Sequence, residues 1–259
     1  MSIEQESSDS FSRTVVFNRT ERLVGETAMA ALSRARVIIF GVGGVGSWTA
    51  EALARTGVGH LTIVDADRVS PTNINRQAEA NVATVGEVKV EAMKRQLLAV
   101  APGIEVTALE KEYTSLTAVD FDFEEFDFVI DAIDSLAAKA LLLRNATAAR
   151  HPVVLSSMGA ALKIDPTKIS VAEFWKVQGC PLAASLRRKF KKSGEFPQRK
   201  FKCVYSPELL TNQGGALEED MAMSFNKVAV NGSLCHITAI FGMTLAGLVV
   251  EQIVKTANG

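Results

Sequence analysis

Short, almost wholly apolar runs recur along the chain, each followed by a longer segment whose apolar positions return every three or four residues. The short runs are Val37–Phe40, Leu61–Asp65, Ile104–Ala108, Phe128–Asp131 and Val153–Ser156. Continuous apolar character over so few residues predicts strands covered on both faces, as in a parallel sheet. Between them, Gly46–Arg55, Val88–Val100 and Ala137–Ala149 carry the helical spacing, the second closed by Pro102-Gly103 and the third by His151-Pro152. The alternation predicts an α/β fold, a doubly wound and mainly parallel Rossmann-like sheet. "KISVAEFW", from Lys168, predicts a further strand.

Near the C-terminus, Val228–Val250 contains no Asp, Glu, Lys or Arg, a run long enough to cross a bilayer. Asn231, Gly232, Ser233 and His236 interrupt its first half, and the cleanly apolar "ITAIFGMTLAGLVV" has the length of a buried helix. A C-terminal helix packed on the core is therefore expected, with membrane association the minor alternative. Gly242 and Gly247 would let that helix approach other backbones closely.

Composition changes this picture little. The chain has 259 residues, 47% hydrophobic and 22% charged, with net charge −1, enough for a full core and without a global signature of nucleic acid or membrane. The opening "MSIEQESSDSFSR" is polar and acidic and reads as a disordered tail, residues 1–16, rather than a targeting signal. Three cysteines, Cys180, Cys203 and Cys235, form no CxxC pair. They exclude a disulfide framework, argue against structural zinc and fit a reducing, cytoplasmic setting. His60, His151 and His236 show no ligand spacing.

The chemistry begins after the first strand. Gly41-x-Gly43-Gly44-x-Gly46 stands between a strand and a helix, where glycines permit the tight turn and free helix N–H groups receive phosphate. Asp65 ends the next strand, placed for ribose hydroxyls. Alone, these two features describe a dinucleotide dehydrogenase. "DADRVSPTNINRQ" then packs Asp65, Asp67, Asn73, Asn75 and Arg76 into one stretch, Lys89 opens the next helix, and "VIDAIDS" sets Asp131 and Asp134 at the fourth strand's end. The carboxyl ends of a doubly wound sheet converge on one crevice. A triphosphate needs side-chain cations and a divalent metal there, which Arg76, Lys89 and the carboxylate of Asp134 can supply. Asp131, taken singly, reads better as a solvated loop residue or cap. The loop is therefore expected to hold ATP with Mg2+.

GxGGxGS, DxDxVxxTNxNRQ, a helix lysine and DAxDS, in that order, resemble the ubiquitin-activating-enzyme superfamily of adenylating enzymes. Within it, "RLVGETAMAAL", "GVGGVGSW", "EALARTGVG", "TNINRQ", "VIDAIDS" and "CVYSPE" are most similar to the tRNA threonylcarbamoyladenosine dehydratases. Members that activate sulfur-carrier proteins typically carry two CxxC pairs, absent from this sequence. The resemblance implies an adenylation core at residues 17–175, with Gly41, Gly43, Gly44, Gly46, Asp65, Asp67, Asn73, Arg76, Lys89 and Asp134 around ATP. It implies Asp134 as the magnesium ligand and Arg76, Lys89 and Asp134 as the catalytic set. It further implies a homodimer in which Arg19 or Arg22 reaches the partner's ATP, and leaves a cysteine desulfurase or other sulfur-transfer partner open. Activation of a ubiquitin-like carrier's C-terminal glycine is the alternative function.

Beyond the core, "RRKFKKSGEFPQRKFK" (187–202) has eight basic residues and one acid, interleaved with Phe190, Phe196 and Phe201. Basic side chains neutralise phosphates and aromatic rings stack exposed bases, as an anticodon loop requires. A mobile basic crossover segment at 176–225, carrying the tRNA contact, and a terminal helix at 226–259 complete the expected organisation. Lys200 and Lys202 would lower the pKa of Cys203, while Cys235 is expected in the core. Cyclisation needs no protein thiol, so all three cysteines are expected to be non-catalytic.

Overall fold

The structure is a computed structural model describing residues 11–215 and 231–259. Three helices, α1 (Arg13–Val16), α2 (Asn18–Val24) and α3 (Glu26–Arg34), precede β1 (Arg36–Phe40). The chain then runs α4 (Gly46–Thr56), β2 (His60–Val64), α5 (Lys89–Val100), β3 (Glu105–Leu109), β4 (Phe128–Asp131), α6 (Leu136–Ala148) and β5 (Val153–Ser157). It ends with β6 (Ser170–Glu173), α7 (Pro181–Ser193), β7 (Lys202–Tyr205) and α8 (Cys235–Asn258). The seven strands form one sheet in the order β3-β2-β1-β4-β5-β7-β6, parallel except for β6 against β7. The order reverses between β1 and β4, which places the crevice of a doubly wound sheet at their carboxyl ends.

β1 shows why its sequence reads as a continuous apolar run. Val37 and Ile39 point into an apolar layer with Leu53 of α4, Met93 and Leu97 of α5 and Phe241 and Leu245 of α8. Ile38 and Phe40 point into the opposite layer with Leu142 and Leu143 of α6 and Leu186 and Phe190 of α7. Successive side chains take opposite faces, and both faces are covered. The strands and helices expected as far as β5 lie within a residue or so of their predicted limits.

Four expectations change. The segment from 176 is not a crossover loop appended to a finished core: it contains α7, and β7 lies in the sheet between β5 and β6. Residues 216–225 of that expected segment, and 1–10 of the expected tail, lie outside the described residues, while Arg13–Val16 is helical and Phe17 is buried. Of the two terminal-helix glycines, only Gly242 meets another backbone: a Cβ there would lie 2.5 Å from Val45 O, whereas Gly247 has nothing near it. Cys235 opens α8 and is exposed, because the buried stripe of the helix begins only at Ile237.

α8 is long and apolar enough to cross a membrane. Here Ile237, Phe241, Leu245 and Val249, spaced by four, are completely buried on the core. Each such residue contributes roughly 1.5–3 kcal/mol.

Candidate functional site

The glycine loop leaves β1 at the switch point. Gly41 N donates to Val64 O (2.8 Å) and Ala132 N to Phe40 O (2.8 Å), so β2 and the end of β4 clamp the loop on both sides. Gly41 has φ +89°, and a Cβ on it would lie 2.8 Å from Ala132 O. A Cβ on Gly46 would lie 1.8 Å from Gly41 O. These two glycines serve the turn itself. Gly44 is pressed against Thr238 of α8 and the Arg76 stem, while a Cβ on Gly43 would find only Gln77 Nε2, at 3.8 Å. Gly43 thus leaves room for a ligand to approach the backbone, and α4 begins at Gly46 directly after the loop, with Ser47 N donating to Gly43 O (3.1 Å).

Asp65 supports the loop from β2: its Oδ2 accepts from Val42 N (2.7 Å) and its Oδ1 from Asp67 N (2.9 Å). The half-buried carboxylate is held at the crevice with lone pairs left for hydroxyl donors. Lys89, at the start of α5, is buried along its stem and places Nζ 2.9 Å from Asp67 Oδ2, which is exposed. Asn73 closes a single turn, Pro71–Asn73, where its Oδ1 accepts from Ser70 N (3.0 Å).

Arg76 follows, its carbonyl gripped by Trp48 Nε1 (3.0 Å) and Thr238 Oγ1 (3.3 Å). Its guanidinium donates to Thr72 O (2.7 Å) and Asn75 Oδ1 (2.8 Å). Sequence-distant α4 and α8 therefore fix the backbone of Arg76, the residue expected from the sequence to contact phosphate. Asp134 is exposed on the loop after β4, and Gly41 packs directly against the preceding residues of that loop, Ala132 and Ile133. Asp65 and the Arg76 stem touch the glycine loop, Lys89 joins them through Asp67, Asn73 sits on the turn before Arg76, and Asp134 lies on the loop that packs against Gly41.

Asp131 departs from expectation. Neither a solvated loop residue nor a cap, it is wholly buried and paired with Lys139 of α6 at 2.7 Å, both side chains at 0% exposure. Ser156 Oγ donates to it at 2.6 Å and Ile133 N at 3.2 Å, while Lys139 Nζ also donates to Ile133 O (2.9 Å). Burial drives the Asp131 pKa up, opposed chiefly by Lys139. The pair ties the loop carrying Asp134 to α6.

Sequence reading also missed the residues behind the glycine loop. Ser47 Oγ donates to Gly43 O (2.7 Å) and accepts from Ala78 N (3.1 Å). Glu79 is 1% exposed and neither of its carboxyl oxygens accepts a hydrogen bond, and Gln77 Oε1 is buried in the same condition. Burial pushes the Glu79 carboxyl up to about 7, opposed first by its own backbone N–H and then by Lys89. An acid in "RQAEANV" reads as solvated, and nothing local marks it otherwise.

The basic band is ordered rather than loose. α7 buries Leu186 and Phe190 and turns Arg188, Lys189, Lys191 and Lys192 outward. Phe190 and Phe201 are core residues, so of the three interleaved phenylalanines only Phe196 is exposed, 6.1 Å from the exposed ring of Trp175. Arg187 and Arg199 are occupied structurally, donating to Phe174 O and Val177 O and to Thr147 O and Pro152 O respectively. Arg19 and Arg22 stand exposed one turn apart on α2.

Cys180 and Cys203 are buried. The Cys203 thiol is pushed up rather than lowered, because burial outweighs the nearby Lys139, and Lys202 next to it on β7 points to the opposite, exposed face.

Over residues 17–259 the chain matches the ThiF family. It is 42% identical over 178 residues to the tRNA threonylcarbamoyladenosine dehydratase of Bacillus subtilis (strain 168), covering 69% of this chain and 70% of that protein. Among solved structures it is similar to E. coli tRNA N6-threonylcarbamoyladenosine dehydratase, TcdA, in complex with ATP. The TM-score is 0.82 at 33% identity, over 96% of this chain and 99% of that one. The AMP complex of the same enzyme matches with TM-score 0.83 at 32% identity, over 95% and 98%.

Proposed function

The chain belongs to the ThiF family, and on that premise we propose that it is an ATP-dependent tRNA-modifying enzyme that converts threonylcarbamoyladenosine to its cyclic form. The observation that carries the reading is the Gly41–Gly46 loop held against Asp65 and Arg76, with Lys89 paired to the neighbouring Asp67 and the loop bearing Asp134 packed on Gly41. The threonyl carboxylate attacks the α-phosphate of ATP, pyrophosphate leaves, and an acyl adenylate forms. The ureido group then attacks the activated carbonyl, losing a proton to solvent, and AMP departs with one former carboxylate oxygen. Water is thus removed from the substrate at the expense of one phosphoanhydride bond.

Within this reading Asp65 holds the ribose, the Gly43 backbone and the α4 N-terminus receive phosphate, and Lys89 and Asn73 grip the triphosphate. Arg76 stabilises charge at the reacting phosphorus. Magnesium, whose coordination needs few protein carboxylates when phosphates share it, fits the exposed Asp134. Bound there it would offset phosphate charge. The chain's own part is positioning, since an intramolecular cyclisation needs proximity more than a nucleophile. Two buried thiols, one of them with a raised pKa, suit a route without a cysteine relay. The outward face of α7 and the Trp175–Phe196 pair suit a tRNA loop, and Arg19 or Arg22 would complete the site of a dimer partner.

The test supplies ATP, Mg2+ and tRNA bearing threonylcarbamoyladenosine, and follows pyrophosphate together with the mass of the modified nucleoside. Loss of one water per pyrophosphate is expected. Pyrophosphate released only with a ubiquitin-like carrier, or binding of NAD in place of ATP, would refute the reading.

A further inference from the structure

The turn from Arg76 to Glu79 lies along the back of the glycine loop. A Cβ on Gly44 would meet Arg76 Cγ at 3.4 Å and one on Gly43 would meet Gln77 Nε2 at 3.8 Å. Ala78 N donates to Ser47 Oγ at 3.1 Å. The next residue, Glu79, is therefore held behind the loop by its own backbone, with Thr84 Oγ1 donating to its carbonyl (2.9 Å).

The charged and titratable groups facing its carboxyl are Lys89 from α5 and Asp65 from the end of β2. From α4 comes only the Ser47 hydroxyl, whose single proton is already given to Gly43 O. Glu51, one turn further along α4, is engaged by Arg55 (2.6 Å) and Gln96 (2.9 Å). Lys89 is not committed to Glu79 either, since its ammonium sits against Asp67. A carboxylate sealed here without a donor is costly, and a triphosphate on the other side of the loop adds like charge.

We infer that Glu79 makes nucleotide binding proton-linked: ATP settles on the glycine loop only with this carboxyl uncharged, so a proton from solvent enters as ATP binds. This rests on the ATP reading and adds a determinant of affinity to it. Glu79 touches no substrate and acts through the loop and Lys89.

Without nucleotide, burial pushes this carboxyl up to about 7. Below that pH it is already neutral and binding takes up no proton there. Above it the proton must be acquired, and affinity falls by up to tenfold per pH unit. The dissociation constant for ATP is expected to rise roughly tenfold between pH 6 and pH 8 in the native enzyme. In Glu79→Gln, a neutral side chain of the same shape, the rise should vanish, leaving binding at pH 8 roughly tenfold tighter than native.

Isothermal titration of the full chain with ATP and Mg2+, without tRNA, in buffers of different ionisation enthalpy, reads both affinity and protons. At pH 8 the ATP phosphates are already ionised, so net proton uptake there comes from the protein. Native uptake at pH 8 that disappears in Glu79→Gln supports the inference. Native binding without uptake at pH 8, or an unchanged pH dependence in the variant, overturns it. Native binding without uptake overturns the inference even if the variant does not fold. Absence of ATP binding by the native protein at every pH would instead remove the ATP reading.

Discussion

Lys139→Met isolates the energetic role of the buried Asp131–Lys139 pair. Methionine fills the volume of the lysine stem but leaves Asp131 with only the Ser156 hydroxyl and the Ile133 N–H as donors. Both charges are completely buried at 2.7 Å, and breaking such a pair from one side costs about 3–5 kcal/mol. For a chain of this size that corresponds to a fall in Tm of roughly 6–20 °C. The cost should depend on pH in a defined direction. Burial already raises the Asp131 pKa, and Lys139 is the main influence lowering it. Without Lys139 the folded-state pKa moves further above its unfolded value, so stability is retained at low pH and lost as pH rises through the folded pKa. The deficit relative to native should be largest at pH 8 and shrink toward pH 5. Asp131→Asn/Lys139→Met, which leaves no buried charge, should recover much of the loss at pH 8. Denaturant unfolding of the three proteins at both pH values measures this. A deficit below about 1 kcal/mol at pH 8, or an equal one at pH 5, would refute the account.

Asp134→Asn keeps the fold and shape but removes the ligand charge, so adenylation should fall at physiological Mg2+ and recover partly at high Mg2+, read by pyrophosphate release. Replacing Lys191, Lys192 and Lys200 with Gln, while sparing the structurally engaged Arg199, should weaken tRNA binding. It should also flatten the dependence of log affinity on log salt by about 2 units without altering ATP affinity. Cys203→Ala, in a wholly buried site, should cost on the order of 1 kcal/mol of stability and leave most cyclised product, measured by nucleoside mass. Adenylate formation without product in that variant would point to a covalent relay.

What was legible in the sequence lies where structure is local. The Gly41–Gly46 loop, Asp65 and Lys89 fall on strand ends and helix starts marked by their own flanking residues, Arg76 follows in the turn after Pro71–Asn73, and the doubly wound order brings the strand ends together. α7 was hidden because its period is carried by Leu186 and Phe190 within a run dominated by charge. β7 was hidden because four residues enter the sheet between strands far away in the chain, with no alternation long enough to register. The charged residues misjudged or passed over share one cause. Asp131, read as solvated, and Lys139 and Glu79, for which the sequence raised no expectation, are all buried under elements distant in the chain, and a single sequence treats each charge as solvated unless its neighbours say otherwise. That same error explains the basic band. Arg187, Arg199, Phe190 and Phe201 are consumed by packing. The surface left for a polyanion is therefore narrower than the composition suggests: the outer lysines and Arg188 of α7, Lys200 and the exposed Trp175–Phe196 rings, with Lys202 exposed separately on β7.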